Sequence, residues 1–150
     1  MTCRVYVGEY QDRITGAAAT AYVVIDENGR LVKAMAQKVK TNKGLSLQAV
    51  KLAVQGLCYL HGMDEAMLCM DSPTALAALR QECPPKGSRR KITEIRHRLA
   101  AIPYPVTLEL AIGSAHSAAA STLARCVATQ EILQPDSPAV RTAGKYIVTH

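Results

Sequence analysis

The spacing of apolar and polar residues changes period several times along the chain, and each change predicts an element. CRVYVG, Cys3 to Gly8, is β-branched and aromatic and predicts a first strand. AAATAYVVID, Ala17 to Asp26, predicts a second. Asn28-Gly29 then supplies the dipeptide that tight hairpins favour, because both residues tolerate positive φ. LVKAMAQKV, Leu31 to Val39, alternates apolar and polar, as a strand with one wet face does. The chain therefore opens with a three-stranded antiparallel meander.

From Ser46 the period lengthens. In SLQAVKLAVQGLCYLHG, Ala49, Leu52, Ala53, Gly56 and Leu60 share one helical face, with Val50, Val54 and Leu57 beside it. A helix apolar on so many sides is predicted to lie between the sheet and another helix, with Ser46 as N-cap and Gly62 as stop. AMLCM has no alternation and predicts an inner parallel strand. Ser72-Pro73 reads as an N-cap followed by proline at the first helical position, and TALAALRQE as a short helix ending before Pro84-Pro85. KGSRRKITEIRHRLAAI predicts a basic amphipathic helix whose stripe is Ile92, Ile95, Leu99 and Ile102. Arg90 and Arg98 each stand four residues from Glu94 and are expected to pair with it. YPVTLELAIG predicts a fifth strand and SAAASTLARCVATQEIL a last helix with Ser117 as its cap. Residues 1–133 read as one domain. Residues 134–150 read as a tail in which YIVT could pair as a strand.

Composition narrows the picture in three ways. The chain has 150 residues, enough for one core, but no Phe or Trp, so aliphatic residues must fill it. Its net charge of +6 favours acidic partners, nucleic acid first. The five cysteines are an odd number without C-x-x-C spacing, which predicts reduced core residues and a cytoplasmic protein. Neither Cys nor His clusters as zinc requires, no apolar run reaches the length of a membrane span, and the start lacks the architecture of a signal peptide.

The element order resembles the ribonuclease H family, and local sequence agrees over roughly Cys3 to Ala128. CMDSP matches the T-D-S that ends the family's fourth strand, with Asp71 the acid. The family ends strand one in an acid, as in Y-x-D-G, and VYVGEY is read as placing Gly8 there. It carries a Glu in the first turn of the first helix, as in E-L-x-A, and LSLQAVKLAVQGL is read as placing Gln48 there. IGSAHSAAASTLA runs at the spacing of the closing V-P-R-x-x-N-x-x-A-D-x-L-A, with Ser117 on the Asn and Ser121 on the Asp. The resemblance implies an α/β fold with a five-stranded mixed sheet in the order 3-2-1-4-5, flanked by helices.

On this reading Asp71 survives from a four-carboxylate site whose other positions read Gly8, Gln48 and Ser121. The family's reaction resembles two-metal hydrolysis, in which several carboxylates offset the repulsion of two cations about 4 Å apart. One Asp with an amide and a hydroxyl lacks that charge. Glu9 is expected to point to the opposite face from position 8, and Glu109 to lie too far inside its strand. The resemblance therefore implies a catalytically inactive domain without a cofactor, a weak magnesium contact at Asp71 being left open. A residual metal-dependent nuclease using Asp71 and Glu9 is the minority alternative. In the blander readings Asp71 caps the following helix, Gln48 is locally bonded and His116 is a surface loop residue.

The family's fold resembles one that grips RNA–DNA hybrid or double-stranded RNA by backbone shape and 2′-hydroxyls. Lys86, Arg89, Arg90, Lys91, Arg96 and Arg98 sit where family members often carry a basic helix, and Lys38, Lys40 and Lys43 add charge at the mouth of the first helix. With no aromatic cluster for base stacking, binding is expected to be sequence-independent and salt-sensitive. The competing expectation is a protein-interaction or oligomerisation scaffold, with AGKYIVTH adding a strand to a partner or a second copy.

Overall fold

The structure is a computed structural model that describes residues 1–41, 43–80 and 87–129. The predicted meander is present: β1 (Thr2–Gln11), β2 (Ala18–Asp26) and β3 (Leu31–Val39) are antiparallel neighbours. The turn after β2 closes with Gly29 N donating to Asp26 O at 3.0 Å, while Asp26 Oδ1 accepts from Asn28 N and Arg30 N. Gly29 has φ of 78°, the left-handed geometry that the Asn-Gly pair predicts.

α1 (Leu45–Cys58) crosses back over the sheet, and β4 (Glu65–Met70) returns parallel to β1. α2 (Pro73–Arg80) and α3 (Arg89–Ala101) lead to β5 (Val106–Leu110), which pairs parallel to β4, and α4 (Ala115–Thr129) closes the described chain. The sheet order is β3-β2-β1-β4-β5, as the resemblance implies. The aliphatic residues of α1, with Ile92 and Ile95 of α3, pack on Cys3, Val5 and Val7 of β1 and on Tyr22 and Val24 of β2. α4 covers the opposite face through Ala119, Ala120, Ala124 and Ala128.

Several details depart from expectation. β1 runs three residues past Gly8. α1 is capped by Gly44, in left-handed geometry, rather than by Ser46, and it ends at Cys58, before Gly62. Ser117 lies inside α4, two residues after its start, and is buried. Cys3 and Cys69 are core residues with thiols pushed up to about 11 by burial, but Cys58 is exposed. The tail after Leu133, Cys83 and Lys86 lie outside the described residues.

Candidate functional site

β1 and β4 stop pairing after Tyr6 and Cys69. β1 continues against β2 to Gln11, while β4 ends at Met70 and the chain turns into α2. A cleft opens between the two strand ends, the place where open α/β sheets bind ligands. Its polar lining is Glu9 from β1, Ser46 from α1, and Asp71 and Ser72 after β4.

Glu9 is therefore in the cleft, and the expectation that it faces away is overturned. Cys3, Val5 and Val7 belong to the core on the α1 side, so strand alternation carries Glu9 to that same side. Pairing with β2 is continuous from Cys3 to Gln11, so no bulge is involved. Gly8 faces α4 instead. A Cβ at position 8 would lie 2.5 Å from Ala120 C, 2.8 Å from Ala120 Cβ and closer still to Ser121 N. Position 8 is where helix backbone touches strand, and it has no room for an acid.

Position 48 is corrected in the same way. Gln48 Nε2 donates to Thr41 O at 2.7 Å and to Lys43 O at 3.0 Å, which ties down the loop before α1 and bears out the bland reading of that amide. Ser46, on the other side of the helix, donates its hydroxyl to Glu9 Oε1 at 2.7 Å. The E-L-x-A spacing also fits Ser46-Leu47-Gln48-Ala49, and matching it at the alanine would have found this residue. Ser121 sits on α4 across the sheet and does not line the cleft.

Burial is the main force pushing the Glu9 carboxyl above the usual carboxylate range. The Ser46 hydrogen bond opposes the shift, and the negative charge of Asp71 adds to it. Glu9 Oε2 is buried with no hydrogen-bond partner among the described residues. Ser72 Oγ accepts from Ala75 N at 3.2 Å and caps α2, as predicted, which puts Asp71 beside that helix's positive end.

The family resemblance implies a pair of divalent ions at such a cleft, and the residues present do not fit one. Two divalent ions 4 Å apart repel by about 16 kcal/mol at an effective dielectric constant of about 20. Glu9 and Asp71 bring two negative charges against four positive, one more than the sequence reading allowed. Among the described residues no three His, Cys, Asp or Glu side chains converge to hold a metal ion.

Several of the cations predicted to contact nucleic acid serve the fold. Arg96 donates to Leu79 O at 2.9 and 2.7 Å and to Ala78 O at 3.4 Å, capping the end of α2. Arg98 pairs with Glu94 at 3.5 Å, as predicted, and Lys51 pairs with it at 3.1 Å. Lys51, chiefly by its hydrogen bond, holds the Glu94 carboxyl below its usual range. Lys91 Nζ donates to Lys43 O at 3.1 Å. Arg89, Arg90, Lys40 and Lys43 are exposed.

The structure gathers a partly different set of cations. Lys38, Lys40, Lys51 and Lys91 line a groove of about 430 Å³ with Thr41 and Gln48. Among the described residues no carboxylate lines it. Lys51 escaped the sequence reading because a lone lysine on a buried helix carries no pattern. His116 is also re-placed: it stands in the first turn of α4, with its ring 4.8 Å from that of Tyr6, and burial lowers its pKa.

Sheet order, helix placement and the cleft between β1 and β4 together define a ribonuclease H-like fold. Solved ribonuclease H1 structures superpose on it closely. That of the halophilic archaeon Halobacterium salinarum NRC-1 matches with a TM-score of 0.75 and 19% identity, over 87% of this chain and 100% of that one. The LC11 ribonuclease H1, isolated from compost by a metagenomic approach, matches with a TM-score of 0.75 and 18% identity, over 86% of this chain and 96% of that one. LC11 in complex with an RNA/DNA hybrid matches with a TM-score of 0.71 and 17% identity, over 85% of this chain and 97% of that one. At these identities the likeness is one of fold. No protein-family model and no curated protein matches the chain.

Proposed function

We propose that this domain binds duplex nucleic acid, RNA–DNA hybrid or double-stranded RNA, through its backbone and without cleaving it. The lysine groove carries this reading: Lys38 and Lys40 meet Lys91 and the Glu94-paired Lys51 on one concave surface beside the first turn of α1, with no carboxylate among its described lining residues. The net charge of +6 and exposed Arg89 and Arg90 extend the attraction. LC11, of the same fold, has been solved with an RNA/DNA hybrid. Contact with four to six phosphates gives a loss of roughly 10²- to 10³-fold in affinity between 50 and 200 mM salt.

The test is fluorescence anisotropy with labelled hybrid, double-stranded RNA and DNA, titrated at several salt concentrations in EDTA. Lys38→Ala with Lys40→Ala should weaken duplex binding and flatten the salt slope. Affinity that is absent at low salt, or indifferent to both substitutions, overturns the reading. The second reading, a residual metal-dependent nuclease, gains from Glu9 beside Asp71. Cleavage of hybrid with magnesium or manganese that stops on both Asp71→Asn and Glu9→Gln would establish it.

A further inference from the structure

The cleft and the groove lie on opposite sides of the first turn of α1, because Ser46 and Gln48 project from different sides of the helix. They are separate sites with opposite charge, so what the cleft holds is a question of its own. It deepens the reading above, because it bears on why no cutting accompanies binding.

We infer that the Glu9–Ser46–Asp71 cleft is an internally hydrogen-bonded pocket that takes no pair of divalent cations, with the Ser46 hydroxyl standing in for the positive partner of Glu9. Three observations carry this. Ser46 Oγ already donates to Glu9 Oε1 at 2.7 Å, so half of that carboxylate is engaged. The cleft is otherwise walled by Val7, Ala49, Val50 and Met70, whose side chains offer no ligand oxygen. Magnesium binds through hard oxygen ligands, which such walls do not supply. The donor set is also too small. Ser46 and Asp71 are the polar groups around Glu9 from α1 and the end of β4, with Ser72 Oγ already accepting from Ala75 N. Among the described residues Asp71 is the one other charged group lining the pocket, and it faces Glu9 with like charge.

A hydroxyl is an economical substitute. It supplies one donor to a half-buried carboxylate and needs no counter-ion, where a Glu at position 46 would add a third negative charge facing Glu9 and Asp71. That charge would require cations to be tolerable. Ser46→Glu should therefore turn a metal-indifferent pocket into a metal-dependent one.

The experiment is a manganese titration of the full chain. It is followed by water-proton relaxation and by thermal unfolding, against ionic-strength-matched sodium chloride. Wild type should show no relaxation enhancement above the Asp71→Asn control and no rise in Tm. Ser46→Glu should be less stable than wild type without metal and regain several degrees of Tm with manganese. A wild-type protein whose Tm rises with manganese, the rise being lost in both Glu9→Gln and Asp71→Asn, overturns the inference. So does a folded Ser46→Glu protein that binds manganese no better than wild type. If that variant fails to fold, the wild-type titration decides alone. Because duplex binding is measured in EDTA, loss of the groove reading and loss of this one give different signatures.

Discussion

Gly8→Ala adds one methyl group where the structure has least room for it. Its Cβ would lie 2.5 Å from Ala120 C, whereas carbon atoms rest about 3.5–4.0 Å apart, so α4 must retreat by about 1 Å. Nothing nearby can yield in its place. The blocking atoms include helix backbone, and α4 meets the sheet through Ala119, Ala120, Ala124 and Ala128, all at most 5% exposed. On the sheet side Ala19 and Ala21 face Ala124 and Ala128, so the contact is small residue on small residue. A gap of about 0.5–1 Å forfeits a quarter to a half of each dispersion contact along that seam. Overpacking ordinarily costs about 1–3 kcal/mol, and a rigid backbone obstacle places Gly8→Ala near 3 kcal/mol. Urea unfolding followed by far-ultraviolet circular dichroism measures it as a lower midpoint at unchanged m. Gly8→Asp should be worse still and should not restore an acid to the cleft. A Gly8→Ala midpoint within about 0.5 kcal/mol of wild type would refute the close approach, and with it the placement of position 8 against α4.

Tyr22 Oη is buried without a hydrogen-bond partner among the described residues, and burial pushes the phenol up to about 12, so Tyr22→Phe should be neutral or stabilising by up to about 1 kcal/mol in the same urea assay; a clear loss would reveal a hydrogen bond at that hydroxyl. Arg96→Ala should cost about 1.5–3 kcal/mol by freeing the α2 carbonyls while leaving duplex affinity within about twofold, since Arg96 serves the fold; a tenfold loss of affinity at unchanged stability would assign it to binding. Glu9 has a folded pKa above its unfolded value, so its contribution to stability is complete below the ordinary carboxylate range and is lost as pH rises through the folded pKa. Glu9→Gln should flatten that stretch of the stability–pH curve, and urea midpoints that fall as steeply with pH as in wild type would contradict it. The half-buried, pKa-lowered His116 works in the other direction, its contribution lost as pH falls through the folded pKa, and His116→Phe should remove that acid-side dependence.

Periodicity made the fold legible. The alternation of Leu31 to Val39, the Asn28-Gly29 turn, the unbroken AMLCM strand and the apolar stripe of α3 each mark an element or turn found at that place, and the right-handed preference of parallel crossovers leaves few ways to order the strands. The site was harder to read because it turns on single residues rather than on a pattern. Shifting a strand by one position exchanges its two faces, so Gly8 meets α4 while Glu9, one residue on, lines the cleft with Asp71. The parity was there to be used: Val5 and Val7 are core residues of the same face, and Glu9 continues their row. In α1 two positions are more than half a turn, so Gln48 faces the groove while Ser46 meets the acid.

The basic residues illustrate a different limit. Lys86 to Arg98 looked like one cationic face, yet Arg96 grips the end of α2, Arg98 is held by Glu94, and Lys91 reaches back to the loop before α1. Clustering in sequence measured how much charge one helix carries, not where it is free to act. The groove draws instead on β3, the loop after it, α1 and α3, four segments far apart in the chain that meet because α3 packs on α1 beside the sheet edge. A polyanion binding there would meet charges fixed by the tertiary fold, so its affinity should respond to any change that separates α3 from α1. Ile92→Ala and Ile95→Ala, both in fully buried positions, should therefore weaken duplex binding in proportion to the stability they remove, although neither side chain touches the groove.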